Sequence, residues 1–214
     1  MRTWKKEMIL SVLFCLLPIL LGISLWGVLP EKVPTHFNMN NEPDGYSSKI
    51  FAVFGLPCLL AALDALCLFA LRADPKRNRQ PRVLQHMMLW FLPLLSCVMM
   101  SITFFAALGN DVNISFYLQI LIGVMFIAIG NYLPKCRQNY TMGIRLPWTL
   151  DDEKNWNSTH RLGGFCWVIG GVLMLLNSVV GYAWLFFVIT AVAVLVPVAA
   201  SYCYAQKRKR EDEK

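Results

Sequence analysis

The sequence predicts an all-α, polytopic membrane protein with six transmembrane helices, both termini in the cytoplasm and a short interfacial helix in the fourth loop. Three observations carry this reading. Apolar residues are 57% of the chain and charged residues only 15%, with a mean hydropathy of +0.49, whereas soluble domains carry about 25% charge. Six apolar runs reach the roughly 17–25 residues that a bilayer crossing needs. Eighteen of the 20 basic residues fall on one side of a six-span topology, and basic loops mark the cytoplasmic side.

The first run, Met8–Leu29, follows Arg2, Lys5 and Lys6. It outruns the roughly 7–15 residues of a signal-peptide core and has no small-x-small site after it, so it reads as a retained span. The second, Ile50–Leu71, gives way to Arg72, Lys76, Arg77, Arg79 and Arg82. The third is Val83–Leu108. The fourth, Ser115–Pro134, is followed by Lys135, Arg137, Arg145, Lys154 and Arg161. Gly164–Val180 and Tyr182–Tyr204 complete the set, before a tail with Lys207–Arg210 and Lys214. Only Lys32 and Lys49 fall on the outer side. The net charge of +7 is therefore a topology signal, and the partner it implies is the lipid bilayer rather than nucleic acid. The chain divides into a three-span domain, 1–110, with outer loop 30–49, and a second, 111–214, with cytoplasmic loop 135–163. Pro18, Pro57 and Pro93 each fall inside a span, where proline kinks a helix and frees carbonyls. The seven cysteines contain no CxxC pair, which argues against a disulfide framework or a zinc site.

In the first loop, Pro34, Pro43 and the turn dipeptide Asp44-Gly45 exclude a helix. The fourth loop, "PWTLDDEKNWNSTHRLGG", reads as a short helix. Thr149 is its expected N-cap, with Asp152 in the capping-box position. Asp151, Asp152 and Glu153 suit the positive end of the dipole, and His160 and Arg161 the negative end. Gly163-Gly164 would stop the helix or turn the chain into span five. Trp156 and His160 share a face, and Trp148 and Trp156 suit the headgroup layer. Two readings stay open: a docking surface formed by Arg145, Trp148, Thr149, Trp156, His160 and Arg161, or a connector on the membrane surface.

Asp64 is the one acid inside a span. A charged acid at mid-span costs about 2.5–3.5 kcal/mol, so a partner or water is expected beside it. His86 and Asn131 are placed at similar depth. His36 and Asp44 are too few for zinc, which takes three or four protein ligands, and no cofactor or metal is expected. No H-E-x-x-H, G-x-S-x-G or Walker loop occurs, and one membrane acid cannot act as an aspartyl protease. No enzyme activity is expected.

"GNYLPKCRQNYTMGIRLPWTLDDEKNWNSTHRLGG", Gly130–Gly164, resembles the signature region of the SdpI-type immunity family. These are bacterial multi-span proteins that protect a producer cell from a secreted peptide toxin. The matching residues include Asn131, Pro134, Asn139, Gly143, Arg145, Trp148, Thr149, Trp156, His160 and Arg161. "VPTHFNMNNEPDGYSSK" resembles the first-loop motif of an N-terminal membrane domain of unknown function that accompanies it. That motif often has glycine where this chain has Asn41, a departure that bears on the turn. The resemblance implies a protein of the bacterial cell membrane that intercepts a membrane-active peptide, with His36, Asn38, Asp44 and Lys49 as the outer contacts. It also implies, for some members, signalling by holding a cytoplasmic transcriptional repressor at the membrane. The rival readings are a transporter or exporter using Asp64 and a purely regulatory membrane anchor. The sequence leaves the oligomeric state open.

Overall fold

The computed structural model describes residues 2–212. Of the basic residues counted above, Lys214 lies outside the described residues, and the side chain of Arg2 is not among those described. Among the described residues, six helices are long and apolar enough to cross a membrane: Trp4–Ser24, Phe51–Ala73, Arg82–Ala107, Ile114–Lys135, Glu153–Val180 and Ala183–Glu211. The chain is a multi-pass, helical membrane protein. It forms two compact units. One holds the chain as far as Ala70 together with His86–Leu118; the other holds Leu71–Gln85 and everything from Gln119.

In the first unit, α1 (Arg2–Cys15) and α2 (Leu17–Ser24) form one span broken at Leu16. Pro18 causes the break, because it has no N–H to give to the carbonyl one turn back. That carbonyl, of Phe14, receives the Cys97 thiol at 3.4 Å, and the Cys15 carbonyl receives the Ser96 hydroxyl at 2.8 Å. The next span opens with a π-helical turn, Phe51–Gly55, in which Leu56 N–H reaches back to Phe51. Pro57 follows directly in α3 (Leu56–Ala73), and the wider π turn precedes a residue that has no N–H to give to the carbonyl one turn back. α4 (Arg82–Ala107) carries Pro93. Leu29, Val33, Ala52, Val53, Met100 and Phe104 form the core at one end; Cys15, Ala61 and Leu92 form a second cluster.

The first loop is an antiparallel hairpin, β1 (Lys32–Phe37) with β2 (Pro43–Ser48). Lys32 faces Ser48 and Val33 faces Ser47, and the register shifts on either side of His36. The chain reverses at Asn38–Glu42, closed by Asn38 N–H to Glu42 O at 2.9 Å. The Asp44-Gly45 dipeptide is thus not the turn. It lies in β2 at the bulge, where Gly45 lets His36 approach: a Cβ there would stand 2.8 Å from that of His36.

The second unit holds most of α5 (Ile114–Tyr132), then α6 (Pro147–Asp151), α7 (Glu153–Val180) and α8 (Ala183–Asp212). α7 corrects the expected break at Gly163-Gly164. The helix runs through both glycines without interruption, because they are needed for packing. Cβ atoms added at Gly164 and Gly171 would stand 2.7 Å and 2.5 Å from the carbonyl oxygens of Gly130 and Gly123 on α5. The glycines of α5 are blocked in return, each at 2.9 Å, by Gly164 and Gly171. In lipid the hydrophobic effect does not drive helices together, and backbone proximity of this kind does. α7 stops at Gly181, which has φ +86° and returns its N–H to Asn177.

Candidate functional site

Two constellations of polar residues stand out, one in each unit, with a buried acid in the first.

At the hairpin end of the first unit, His36 Nδ1 and Asp44 Oδ1 lie 2.5 Å apart across the bulge, both exposed. Asn38 caps the reversal, its Oδ1 accepting from Asn40 and Glu42 N–H at 2.9 and 3.0 Å. Asn41 has φ +64°, the left-handed conformation that glycine serves elsewhere and asparagine tolerates best among the other residues. Its side chain adds what glycine cannot. Nδ2 donates to Val112 O at 2.8 Å, and Oδ1 accepts Ile114 N–H at 2.8 Å. The hairpin tip therefore caps α5 from a distance. Lys49 is buried at the hairpin base, donating to Glu31 at 2.9 Å and lying over the Trp26 ring. Lys49 is thus a strut of the hairpin rather than a free contact.

Asp64 is fully buried. Its neighbour is Ser11, whose Oγ lies 2.6 Å from Asp64 Oδ2 and 2.8 Å from Leu89 O. A hydroxyl has one proton for these two acceptors, so both contacts are completed only when the carboxyl carries its own. His86 does not join this group. It is exposed, 3.7 Å from Glu7 and near the Trp4 ring. Asn131 is exposed on α5 in the second unit.

The second constellation is a knot of loops and helix ends. Asn139 is fully buried and fully bonded. Its Oδ1 accepts the N–H groups of Thr141 and Met142, and its Nδ2 donates to Arg137 and Met142 carbonyls. Trp156 Nε1 donates to Cys136 O at 2.7 Å. Trp156 and His160 share a face as the spacing required, their rings stacked with centroids 4.0 Å apart. His160 Nε2 accepts Ile144 N–H at 3.0 Å, while Nδ1 faces Trp156 O at 2.8 Å. A carbonyl can only accept, so the proton sits on Nδ1 and the ring is neutral. Gly143 makes this possible: with φ +96°, it leaves a space in which a Cβ would stand 2.2 Å from His160 Nε2.

The structure corrects the expected cap. Thr149 is the third residue of α6, bonding through its hydroxyl to the backbone of Ile144 and Leu146. Asp152 caps α7, accepting Lys154 N–H at 2.9 Å and pairing with Arg208. His160 and Arg161 accordingly stand in mid-helix, not at a negative end. Thr149, Trp156 and His160 are buried, so they form the knot's interior rather than its surface. Trp148 is half-buried, giving its indole N–H to Ser201 Oγ at 2.9 Å. Arg145 and Arg161 are exposed.

Besides Asn139, three further residues complete the knot: Asp74, Gln80 and Asn155. Asn139 and Asn155 stood within the quoted motif, but Asp74 and Gln80 lie in a basic loop with no apolar periodicity to mark them. Asp74 accepts from Thr141 Oγ1 at 2.6 Å and from the N–H groups of Lys76 and Tyr140. Burial would raise its carboxyl, but these donors together outweigh it and hold Asp74 below the usual carboxylate range. The Cys136 thiol nearby is pushed up to about 11 by burial, which keeps it unreactive.

Residues 135–201, from the start of the knot to the serine that Trp148 and Asn155 grip on α8, match the model of the SdpI/YfhL protein family. Over those residues the chain is similar to that family. Residues 13–61, which include the hairpin, match a domain of unknown function (DUF1648). The immunity protein SdpI of Bacillus subtilis (strain 168) is 27% identical over 206 residues, covering 94% of this chain and 97% of that protein. No solved structure matches. The resemblance of Gly130–Gly164 to the SdpI family holds, and the matched segment contains the knot's 135–163 loop together with Gly164 and Gly171 of the packing face.

Proposed function

We propose that this chain is an immunity protein of a bacterial cell membrane, which intercepts a secreted, membrane-active peptide toxin. The observation that supports it is the likeness to the immunity protein SdpI over nearly the full length of both chains. The termini and the knot face the cytoplasm, on the basic-residue asymmetry, and the hairpin faces outward. The hairpin end then meets the toxin first, with His36, Asn38 and Asp44 exposed or half-buried there. Asp64 is sealed within the first unit and pairs with a hydroxyl. That setting favours a structural acid over the coupling residue of a transporter. Recruitment of a cytoplasmic repressor would fall to the knot's exposed cations, Arg145, Lys154 and Arg161.

The test is expression in a toxin-sensitive host, with survival scored against secreted peptides from producer strains. Protection without an energy requirement supports interception. Protection abolished by an uncoupler favours export. Repressor recruitment without protection leaves only the regulatory anchor.

A further inference from the structure

The hairpin end of the first unit holds a groove of about 670 Å³ between α2, α4 and the start of α5. Leu21 lines it from α2, Ser101, Ile102 and Phe105 from α4, and Phe116 from α5. Phe105 is 56% exposed. Asp111 stands at the rim, exposed, and no hydrogen bond or ion pair reaches its carboxylate among the described residues. The groove's lip is fixed, because Asn41 ties down Val112 and Ile114.

Charge decides the occupant. This end carries Glu31, Glu42, Asp44 and Asp111 against Lys32 and Lys49, and Lys49 is buried against Glu31. Free N–H groups at a helix start attract anions, but here they are taken. Ile114 and Ser115 donate to Asn41, and Phe116 to Asn113 at 2.9 Å. An anionic lipid headgroup therefore meets like charge at the rim and no free backbone N–H at the helix start, whereas a basic side chain meets Asp111. A groove of this size lies within the roughly 300–1,000 Å³ of ligand sites, room for the few anchors that a docked amphipathic helix inserts.

We propose that this groove receives the apolar face of a cationic peptide, with a basic residue of the peptide on Asp111. The proposal rests on the immunity reading and locates it. The test uses the full chain in phosphatidylcholine nanodiscs and a fluorescent amphipathic Leu/Lys peptide, with empty nanodiscs as background. A Leu/Glu peptide of the same length is the comparison. The Leu/Lys peptide is expected to bind at least about tenfold more tightly, as charge complementarity requires. Asp111→Lys, on an exposed loop, and Ser101→Trp, which fills the groove from an exposed position, are each expected to remove that preference at unchanged membrane abundance. Equal binding of the two peptides, or wild-type binding by both variants, overturns the proposal. So does retention of a phosphatidylglycerol probe that Ser101→Trp displaces while peptide binding persists. Survival assays separate the two readings. Full protection by Ser101→Trp sinks the groove and leaves immunity standing, whereas wild-type chain that fails to protect sinks immunity even if the peptide binds.

Discussion

Gln80 holds the backbone of Arg137 in both directions: Nε2 donates to its carbonyl at 2.7 Å and Oε1 accepts its N–H at 3.1 Å. The side chain imitates a peptide unit and pairs the second loop with the fourth as a strand would. Gln80→Glu replaces the donor with a second acceptor, so the Arg137 carbonyl faces an oxygen and keeps Asn139 Nδ2 as its amide donor. A loss of about 1–3 kcal/mol is expected, read as a lower thermal midpoint of detergent-solubilised protein. A midpoint equal to wild type would mean that the two loops are held together elsewhere.

Asp74 makes that junction pH-sensitive. Its folded pKa lies below the usual value, so its stabilisation is complete above the unfolded value of about 3.9. It is lost as pH falls through the lower folded value. At neutral pH, wild type is expected to melt above Asp74→Asn, with the gap closing below about pH 4. A gap that does not change with pH would remove the carboxylate from the account.

Asp64→Asn keeps a donor and an acceptor for Ser11, and the chain is expected to keep its abundance and its protective effect. Asp64→Leu leaves Ser11 bonded only to Leu89 and overfills the site, lowering the folded fraction. The comparison needs membrane abundance and survival from the same cultures. Abundant but inactive Asp64→Asn protein would point to a step that needs the ionised acid.

The glycine contacts between α5 and α7 are expected to be unforgiving. Gly164→Ala and Gly171→Ala each push a methyl group against a backbone carbonyl, costing about 1–3 kcal/mol as overpacking does. Gly27→Ala, with nothing within 4 Å, is the matched control and should be neutral. Thermal midpoints of the three variants decide it. A Gly164→Ala protein as stable as the control would mean that the helices separate without penalty.

The assignment of sides has its own check. Cysteine introduced at Asn40 should react with an impermeant thiol reagent in intact cells, and cysteine at Asn157 only after lysis. The opposite pattern would reverse every statement about which face meets the toxin.

The spans were legible because lipid demands long apolar stretches. The hairpin was not. Pro34 and the bulge around His36 break the alternation that marks a strand, and "PDGYSS" is too polar to signal one. Trp156 and His160 were correctly placed on one face, but whether that face is surface or interior depends on Cys136 and Ile144, which close over it from the preceding loop. Thr149 and Asp152 are both good N-cap residues, and only the backbone at Asp152, extended at φ −128° and ψ 112°, decides between them. Asn41 is the opposite case. The departure from glycine that clouded the turn supplies both the left-handed conformation and a tether.

The glycine pairs on α5 and α7 sit seven residues apart on each helix, Gly123 with Gly171 and Gly130 with Gly164. Only one alignment of the two helices seats both. A slip of seven residues engages a single pair and leaves the remaining glycines opposite bulkier side chains. Helices threaded into lipid can rotate and slide before they dock, so the repeat works as proofreading during assembly. A half-matched encounter holds weakly and separates; the full match persists long enough for the loops at one end to close around it.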